Sequence, residues 1–564
     1  MRVLALALAL AFALGAGCLA PQPAAVASVD LERGVEDLIY DLGDVLEASI
    51  DLADGLALHG TVYLPDVPEG TKVPVIMDMG PYYGNLNPET SVYSAEHPPS
   101  SLYEHFLRRG YAIALVSVRG TGLSEGCFMI GGQQENADVA AAIEWLAAQD
   151  WSDGHVAMTG VSYDGTTPWE GLVSGAAPHL DAIVPVEGIS DHYRYDFFEG
   201  VPINTGAAFN AEYAALVDIA YTEPTGVPGW GPAQATHVCP EQLDVFLSPM
   251  QTYRDGVHGA FWDERDMSAA VANATAAVFV VHGAKDFNVK MDHVQTIWQK
   301  LPGPKRMLVG QWEHNIPWHD SYDPDQSWTQ YNTTIDQFLD AYVRKDAAAL
   351  AAEQAAAPVL VQDSANRTWE LTSWPPVEST LVAYAFGADG AMTPGAAKDG
   401  EATLSATPAS QAQAMSGQRL PVLSAEEIAF ETAAFAAPTL FIGNPYVDLH
   451  VSVDRPEGIL EVRLYEVSPS GEREQVSVGW QNLATRESRD HASDVPTGEP
   501  MSVRVFLEGI AQQVKAGDTL QLVIRPDNTD SAMPQVTTTT YTIPLGGDEG
   551  ARLWLPAFAP GENA

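Results

Sequence analysis

The chain has 564 residues, and 46% of them are hydrophobic, which is enough to bury a large core or several smaller ones. Acidic residues outnumber Lys and Arg by 74 to 28, giving a formal net charge of −46. This charge argues against nucleic acid as a partner, because the phosphates would be repelled. The 13 Trp, 20 Tyr and 17 Phe residues exclude a disordered acidic chain. We expect a solvated anionic surface, and adaptation to high salt is the alternative interpretation.

The first residues have the pattern of an export signal. Met1-Arg2 precede an apolar run over 3–14, and small residues follow up to Cys18. This order is typical of a secretory signal, and the run is short for a membrane span. Residues 1–18 are therefore predicted to be a signal or lipoprotein-type peptide, followed by a tether over 19–45. We expect an exported, extracellular or cell-surface protein, whose only membrane contact would be a lipid anchor on Cys18.

The remaining cysteines are Cys127 and Cys239. In an exported protein, one pair of cysteines predicts a disulfide bond. Two independent buried thiols are the alternative.

The middle of the chain alternates strand and helix patterns. Two runs around Asp54-Gly55 predict a hairpin, since Asp-Gly is a typical hairpin turn. Amphipathic patterns predict helices over 102–109, 135–149 and 333–343, and continuous apolar runs between them predict buried strands. Such alternation indicates a parallel α/β sheet over 46–189 and 269–346. The predicted buried strands cover residues 73–79, 111–118, 155–159, 182–186, 277–283 and 305–310.

Two further regions break this rhythm. Residues 190–268 are rich in aromatic residues, Gly and Pro, and we interpret them as an inserted helical cap. An Ala-rich bridge covers 347–357. From 358 to 564, short strand patterns alternate with turn residues, which predicts a separate β-sandwich or jelly roll.

The segment from Gly160 to Gly165 carries the first chemical signal. It has the form G-x-S-x-x-G with Ser162 at the centre, after a predicted strand and before a predicted helix. A strand, a sharp turn and a helix are the context of a nucleophile elbow, in which the turn exposes the serine hydroxyl. A strand-to-helix turn without chemistry is the alternative.

A serine nucleophile needs a base, and the base needs a group that orients it. In the α/β-hydrolase order, the acid and then the histidine follow the serine. Asp286 follows the predicted strand over 277–283, and His314 follows the strand over 305–310. Their positions at strand ends, in this order, predict a triad of Ser162, Asp286 and His314. A turn aspartate and a surface histidine are the alternative.

The oxyanion of acyl transfer needs hydrogen-bond donors where negative charge develops. The backbone N–H of Tyr163, directly after the serine, is the expected first donor. The second is expected from the loop after the strand over 73–79, where the Tyr82 hydroxyl is preferred to that of Tyr83. No metal and no cofactor are predicted, because the metal-ligand and phosphate-loop motifs are absent from the sequence.

Several motifs together resemble the Xaa-Pro dipeptidyl-peptidase and cocaine-esterase-like serine hydrolases. The resemblance covers the chain from about residue 46 to the end. It implies an α/β-hydrolase fold with a cap that shapes the pocket, a C-terminal jelly roll, the same triad, and Tyr82 as a side-chain oxyanion donor. The motifs that carry it are Gly80-Pro81-Tyr82, residues 118–126, 160–165, 261–266, 282–290 and 312–314, and Gln362-Asp363 with Ser373-Trp374-Pro375-Pro376.

The branch of this family is indicated by two segments. Residues 286–290 and 189–195 look more like the dipeptidyl-peptidase branch, although His192 replaces its usual aromatic residue. An aminopeptidase of this kind must bind a free substrate ammonium, which calls for a carboxylate near the cap. The candidates for substrate contact are Glu187, Glu199 and Glu212 for the ammonium, with Tyr193 and Trp169 beside them.

The sequence thus predicts an exported serine hydrolase that acts on a peptide or a small molecule. The first hypothesis is a dipeptidyl-peptidase that releases N-terminal dipeptides after proline. The alternative is an esterase or amidase on small acyl compounds, and a lesser alternative is a non-catalytic surface binding protein. The sequence makes no prediction of the oligomeric state.

Overall fold

The computed structural model describes residues 39–83, 102–203, 252, 256–314, 328–405, 427–526, 538–548 and 550–559. The predicted signal peptide with Cys18, the helical patches of the cap, Glu212 and Cys239 lie outside these residues.

The first part of the chain forms a ten-stranded sheet with the order β1-β2-β4-β3-β5-β6-β9-β10-β11-β12. The strands from β4 to β11 in this order are parallel to their neighbours. β1 and β2 form the predicted hairpin, and β7 and β8 form a separate antiparallel pair. The strands are β1 (Leu42–Asp51), β2 (Ala57–Pro65), β3 (Val73–Gly80), β4 (Ala112–Ser117), β5 (Ser152–Val161), β6 (Leu180–Val186), β7 (Phe197–Phe198), β8 (Val201–Pro202), β9 (Ala277–Gly283), β10 (Lys305–Gly310), β11 (Val359–Gln362) and β12 (Thr368–Leu371).

Helices cover both faces of this sheet, which is why its central strands are apolar along their whole length. Ile143 of α2 shares a core with Met77 and Met158 on one face. Phe338 of α7 packs on Phe279 on the other face, with ring centroids 5.3 Å apart. The predicted α/β class is confirmed. The helices are α1 (Leu102–Arg108), α2 (Gln133–Ala147), α3 (Tyr163–Val173), α4 (His192–Asp196), α5 (Ala260–Asp263), α6 (Asp292–Trp298), α7 (Trp328–Tyr342) and α8 (Ala347–Ala355).

Two predicted boundaries differ from the structure. The first strand begins at Leu42, so the last residues of the predicted tether belong to the sheet. The strand Val359–Gln362 pairs in parallel with β10, and therefore extends the first sheet rather than starting the jelly roll. A short apolar run has the same pattern in either sheet, so periodicity alone did not distinguish them. The Ala-rich bridge is helix α8.

The C-terminal part is a two-sheet sandwich, as predicted. Of the described strands, nine form one sheet and four form the other. Apolar residues from both sheets, such as Leu449 and Leu464, fill the space between them. The strands are β13 (Ser379–Phe386), β14 (Met392–Pro394), β15 (Gly400–Ser405), β16 (Ile428–Glu431), β17 (Thr439–Gly443), β18 (Tyr446–Val453), β19 (Ile459–Val467), β20 (Arg473–Asn482), β21 (Met501–Phe506), β22 (Ile510–Val514), β23 (Thr519–Arg525), β24 (Thr540–Leu545) and β25 (Arg552–Phe558).

The sandwich packs directly against the first part of the chain. Ile442 and Phe558 join the core on the α2 side of the first sheet. Arg489 of the sandwich donates hydrogen bonds to both Asp191 and Asp266, which lie at the two ends of the predicted cap segment. The C-terminal part therefore fixes the base of the cap segment.

None of the helices in the described ranges is long and apolar enough to cross a membrane.

Arg119 links the hairpin turn to helix α2 through a buried ion pair. Its guanidinium donates two hydrogen bonds to the buried Asp138 of α2, at 2.6 and 2.7 Å, and one to Asp54 in the hairpin turn, at 2.7 Å. Arg119→Met leaves a buried carboxylate unpaired, which costs about 3–5 kcal/mol. We expect the melting temperature, measured by calorimetry, to fall by on the order of 5–10 °C.

The matched control is Arg504→Met, which removes an ion pair whose two side chains are 47% and 38% exposed. Exposed pairs contribute about 0–1 kcal/mol, so this variant should melt close to the wild type. Equal losses in the two variants would contradict the assignment of Arg119.

Candidate active site

The elbow is a sharp turn between β5 and α3. Ser162 has φ 66° and ψ −118°, a conformation that an L-residue rarely adopts. The two glycines of the motif make the turn possible. A Cβ on Gly160 would lie 2.5 Å from the Asp164 carbonyl oxygen, and one on Gly165 would lie 2.3 Å from that of Val186. Strand and helix can approach this closely only without those side chains, and the approach leaves Ser162 at the carboxyl edge of the sheet.

The structure brings the three predicted triad residues together. Nε2 of His314 lies 3.0 Å from Oγ of Ser162, and Nδ1 of His314 lies 2.8 Å from Oδ2 of Asp286. The other carboxylate oxygen of Asp286 accepts hydrogen bonds from the backbone N–H groups of Asn288 and Val289, at 2.8 and 2.9 Å. These bonds orient Asp286, which in turn fixes the imidazole against the serine.

Tyr82 and Tyr83 follow β3 at the same edge of the sheet. The Tyr83 hydroxyl donates to Oδ2 of Asp164 at 2.9 Å, so it is engaged with the elbow helix. Tyr82 is partly buried beside the core. Burial, and then the neighbouring Asp78, raise the pKa of Asp164 well above its ordinary value. The buried pair of Asp78 and Asp164 thus lies under the loop that carries the predicted oxyanion donor Tyr82.

The backbone N–H of Tyr163 is the other predicted oxyanion donor. Tyr163 is the first residue of α3, where helical geometry supplies no intrahelical acceptor for the N–H. Its side chain points into the protein and its hydroxyl donates to Glu135 at 2.7 Å. The backbone position therefore suits the predicted role, while the side chain anchors the elbow.

A second pair of acids lies beneath the elbow. Glu135 and Glu170 are buried and share a side-chain hydrogen bond, which requires a proton between them. Burial raises the pKa of Glu135 to about 6, and burial followed by the charge of Glu135 raises the pKa of Glu170 well above its ordinary value. His192 is buried in the same region, and burial lowers its pKa to about 3, so it is neutral.

Glu187 lies beside the triad rather than in the cap. Its side chain is fully buried, Oε1 accepts a hydrogen bond from Trp312 Nε1 at 2.8 Å, and Oε2 lies 3.4 Å from Nδ1 of His314. Its carboxylate is thus held between Trp312 and the far nitrogen of the imidazole, and contact with the substrate ammonium stays a prediction.

Two other predicted substrate contacts are packing residues. Tyr193 is 1% exposed, stacks on Phe197 and donates its hydroxyl to the Gly256 carbonyl at 2.5 Å. Trp169 is 2% exposed in the core on the α2 side of the sheet. Their contact with substrate stays a prediction, and the structure shows them as packing residues, since an aromatic residue near a site has the same sequence signature as one in the core.

The remaining candidates have different outcomes. Glu199 is partly exposed and lies 3.4 Å from the Arg194 guanidinium, and Glu212 is outside the described residues. Cys127 is disulfide-bonded, while its predicted partner Cys239 is also outside the described residues. Pairing of Cys127 with Cys239 stays a prediction.

Sequence reasoning missed the buried acids because their partners come from distant segments. Tyr163 and Glu170 are seven residues apart and therefore on one helix face, which is a usable signal. Nothing in the sequence connects that face to Glu135 on α2, or Asp164 to Asp78 on β3.

The Glu135–Glu170 pair predicts a pH-dependent stability. Glu170 keeps its proton in the folded state at pH values where the unfolded chain, with its ordinary pKa of 4.5, has released it. Stability is therefore lost as the pH rises from 4.5 toward the raised pKa. Glu170→Gln keeps a hydrogen bond to Glu135 without a titrating group. Relative to wild type, its melting temperature should rise by about 2–5 °C between pH 5 and pH 8.

The control is Glu69→Gln, which changes an exposed acid in a surface turn and should shift the melting temperature equally at both pH values. A difference between Glu170→Gln and wild type that does not change with pH would contradict the shared proton.

Comparison with known proteins identifies relatives along most of the chain. Residues 54–315 match the model of X-Pro dipeptidyl-peptidase (S15 family), and residues 352–555 match that of the X-Pro dipeptidyl-peptidase C-terminal non-catalytic domain. A Bacillus cereus protein, provisionally named an Xaa-Pro dipeptidyl-peptidase, is 24% identical over 562 residues and covers 92% of each chain.

Two solved structures share the fold at 17% identity. A CocE/NonD family hydrolase from Staphylococcus aureus has a TM-score of 0.71, covering 91% of this chain and 93% of its own. An aminopeptidase from a marine-sediment Thaumarchaeota archaeon has a TM-score of 0.72, covering 97% of this chain and 100% of its own. The solved structures show the fold, and the two family models show that the chain belongs to the X-Pro dipeptidyl-peptidase (S15) family and is a serine hydrolase.

Proposed function

We propose that this chain is an exported dipeptidyl-peptidase that releases N-terminal dipeptides ending in proline through an acyl-enzyme. The main support for the proposed chemistry is the chain of hydrogen bonds from Asp286 through His314 to Ser162. The match to the X-Pro dipeptidyl-peptidase model supports the substrate class.

The reaction begins when Oγ of Ser162 attacks the substrate carbonyl carbon. Nε2 of His314 takes the hydroxyl proton, and Asp286 holds the Nδ1–H and stabilises the imidazolium that forms. The Tyr163 N–H and the Tyr82 hydroxyl are the proposed donors to the oxyanion. Removing one such donor typically raises the barrier by about 3–4 kcal/mol.

Collapse of this intermediate breaks the peptide bond. The leaving amine takes the proton from Nε2 of His314, and the dipeptide stays esterified to Ser162. Water, activated by the same imidazole, then attacks the ester and restores the free serine.

Export is supported by the N-terminal pattern ending at Cys18 and by the disulfide bond of Cys127, since disulfides persist in oxidising compartments. Lipid attachment at Cys18 would place the enzyme at the cell surface.

An esterase or amidase on small acyl compounds is the second candidate. Two of the three carboxylates proposed for the substrate ammonium have other partners, Trp312 and His314 for Glu187 and Arg194 for Glu199. This observation favours a substrate without a free amine. Membership in a serine hydrolase family argues against the third hypothesis, a non-catalytic binding protein.

The two candidates are separated by assaying one preparation on three substrates. These are an Ala-Pro-anilide, the same anilide with a blocked N-terminus, and a short-chain aryl ester. We expect efficient cleavage of the free-amine anilide and at least about a hundredfold lower kcat/KM for the blocked one, because a dipeptidyl-peptidase recognises the substrate ammonium through an ion pair that the blocked substrate cannot form. Preference for the ester would instead support the second candidate.

Ser162→Ala is the control for the nucleophile. It should lower kcat by about 10⁴-fold or more on whichever substrate is cleaved, since triad members act as a unit. An unchanged rate in this variant would contradict both candidates.

A further inference from the structure

Glu187 lies at the carboxyl edge of the sheet, next to the triad. It directly follows β6, between the strand that ends at the elbow and the strand that leads to Asp286. Its backbone N–H donates to the Val281 carbonyl of β9 at 3.0 Å, and the carbonyl of Val186 before it accepts from the Ser162 N–H at 3.1 Å. The backbone of Glu187 is therefore fixed relative to both the nucleophile and the acid.

The carboxylate of Glu187 is held against the imidazole of His314. Oε1 accepts from Trp312 Nε1 at 2.8 Å, which leaves Oε2 directed to Nδ1 of His314 at 3.4 Å. Asp286 lies closer to the same nitrogen, at 2.8 Å, and accepts its hydrogen bond. Glu187 thus places a second carboxylate oxygen at contact distance from Nδ1, farther away than the one from Asp286.

The position of the Glu187 carboxylate requires a strained backbone at Glu187 and a residue without a side chain at Gly283. Glu187 has φ 50°, which a residue with a side chain adopts only when its surroundings impose it. A Cβ on Gly283 would lie 2.9 Å from Oε1 of Glu187 and 2.3 Å from the Trp312 carbonyl oxygen. A glycine on β9 is therefore required for the carboxylate to reach the imidazole.

We propose that Glu187 is a positioning residue that acts with Asp286, so that two carboxylates face the imidazolium formed when Ser162 loses its proton. The proposal rests on the proposed function, in which Ser162 is the nucleophile and His314 the base. The hydrogen bond from Trp312 and the space left by Gly283 act together to hold the Glu187 carboxylate next to Nδ1 of His314.

The described titratable groups near His314 come from two strands, β6 and β9. Asp286 follows β9, Glu187 follows β6, and His282 lies within β9 with its Nε2 2.8 Å from the Val289 carbonyl oxygen. Burial lowers the pKa of His282, so it stays neutral. Glu187 and Asp286 are thus the two described carboxyl groups within 4 Å of Nδ1 of His314. In the proposal, both stabilise the imidazolium, so removing one of them weakens that stabilisation.

The test is the rate at which an alkyl fluorophosphonate modifies Ser162 as a function of pH, which requires no knowledge of the natural substrate. In this reaction the Oγ–P bond forms, fluoride leaves, and the Oγ proton passes to Nε2 of His314. The acid limb of the profile reports the deprotonation of His314. For Glu187→Gln we expect its midpoint about one pH unit lower than in wild type, with a maximal rate reduced about tenfold or more.

Glu313→Gln is the matched control, since Glu313 is adjacent to His314 but exposed. It should reproduce the wild-type midpoint and rate. A Glu187→Gln profile with a lower rate but an unmoved midpoint would show a merely structural role and overturn the proposal.

Trp312→Phe provides a second measurement if Glu187→Gln fails to fold. It removes the N–H that partly compensates the charge of Glu187 and keeps the carboxylate. The acid limb should then move to higher pH, and an unmoved or lowered midpoint would overturn the proposal. Absence of labelling at Ser162 in wild type would refute the proposed function itself, whereas identical profiles in wild type and Glu187→Gln would refute only the role of Glu187.

Discussion

The geometry of the site depends on one constraint, the common edge at which parallel strands end. β5, β6, β9 and β10 are neighbours in the sheet and all run in the same direction. The residues that follow their carboxyl ends therefore meet, although they are far apart in the chain. These residues are Ser162, Glu187, Asp286 and His314.

The elbow is held from below by two pairs of buried acids. Glu170 shares a proton with Glu135 on one side, and on the other side burial and the neighbouring Asp78 raise the pKa of Asp164. A shared proton lets a carboxyl pair be buried without the full desolvation cost of two charges. In so acidic a chain, this solution fixes the turn at Ser162 without using the scarce Lys and Arg residues. It also couples the stability of the elbow to pH.

The sequence predicted the elements whose signal is local. The apolar runs specified the buried strands, and the strand ends specified Ser162, Asp286 and His314. It did not predict that β11 extends the first sheet, because pairing partners are not encoded in a four-residue apolar run. Glu187 was assigned to the substrate because a lone carboxylate after a strand does not reveal on which side of the imidazole it will lie.

Burial shows why the sequence could not distinguish packing residues from substrate contacts. Tyr193 and Trp169 were linked to substrate by their position near the elbow and cap, but both fill the core. Aromatic residues contribute large buried areas wherever they stand, so their type alone does not distinguish a pocket wall from packing. The buried acid pairs were not predicted, because an acidic residue in so acidic a chain is expected on the solvated surface.

The central claim is that Ser162 receives the acyl group while backbone and side-chain donors hold the oxyanion. A crystal structure of the fluorophosphonate adduct tests it most directly. We expect phosphorus bonded to Oγ of Ser162, with a phosphonyl oxygen about 3 Å from both the Tyr163 nitrogen and the Tyr82 hydroxyl. Phosphorus bonded to another residue, or a phosphonyl oxygen turned away from the Tyr163 nitrogen, would contradict it.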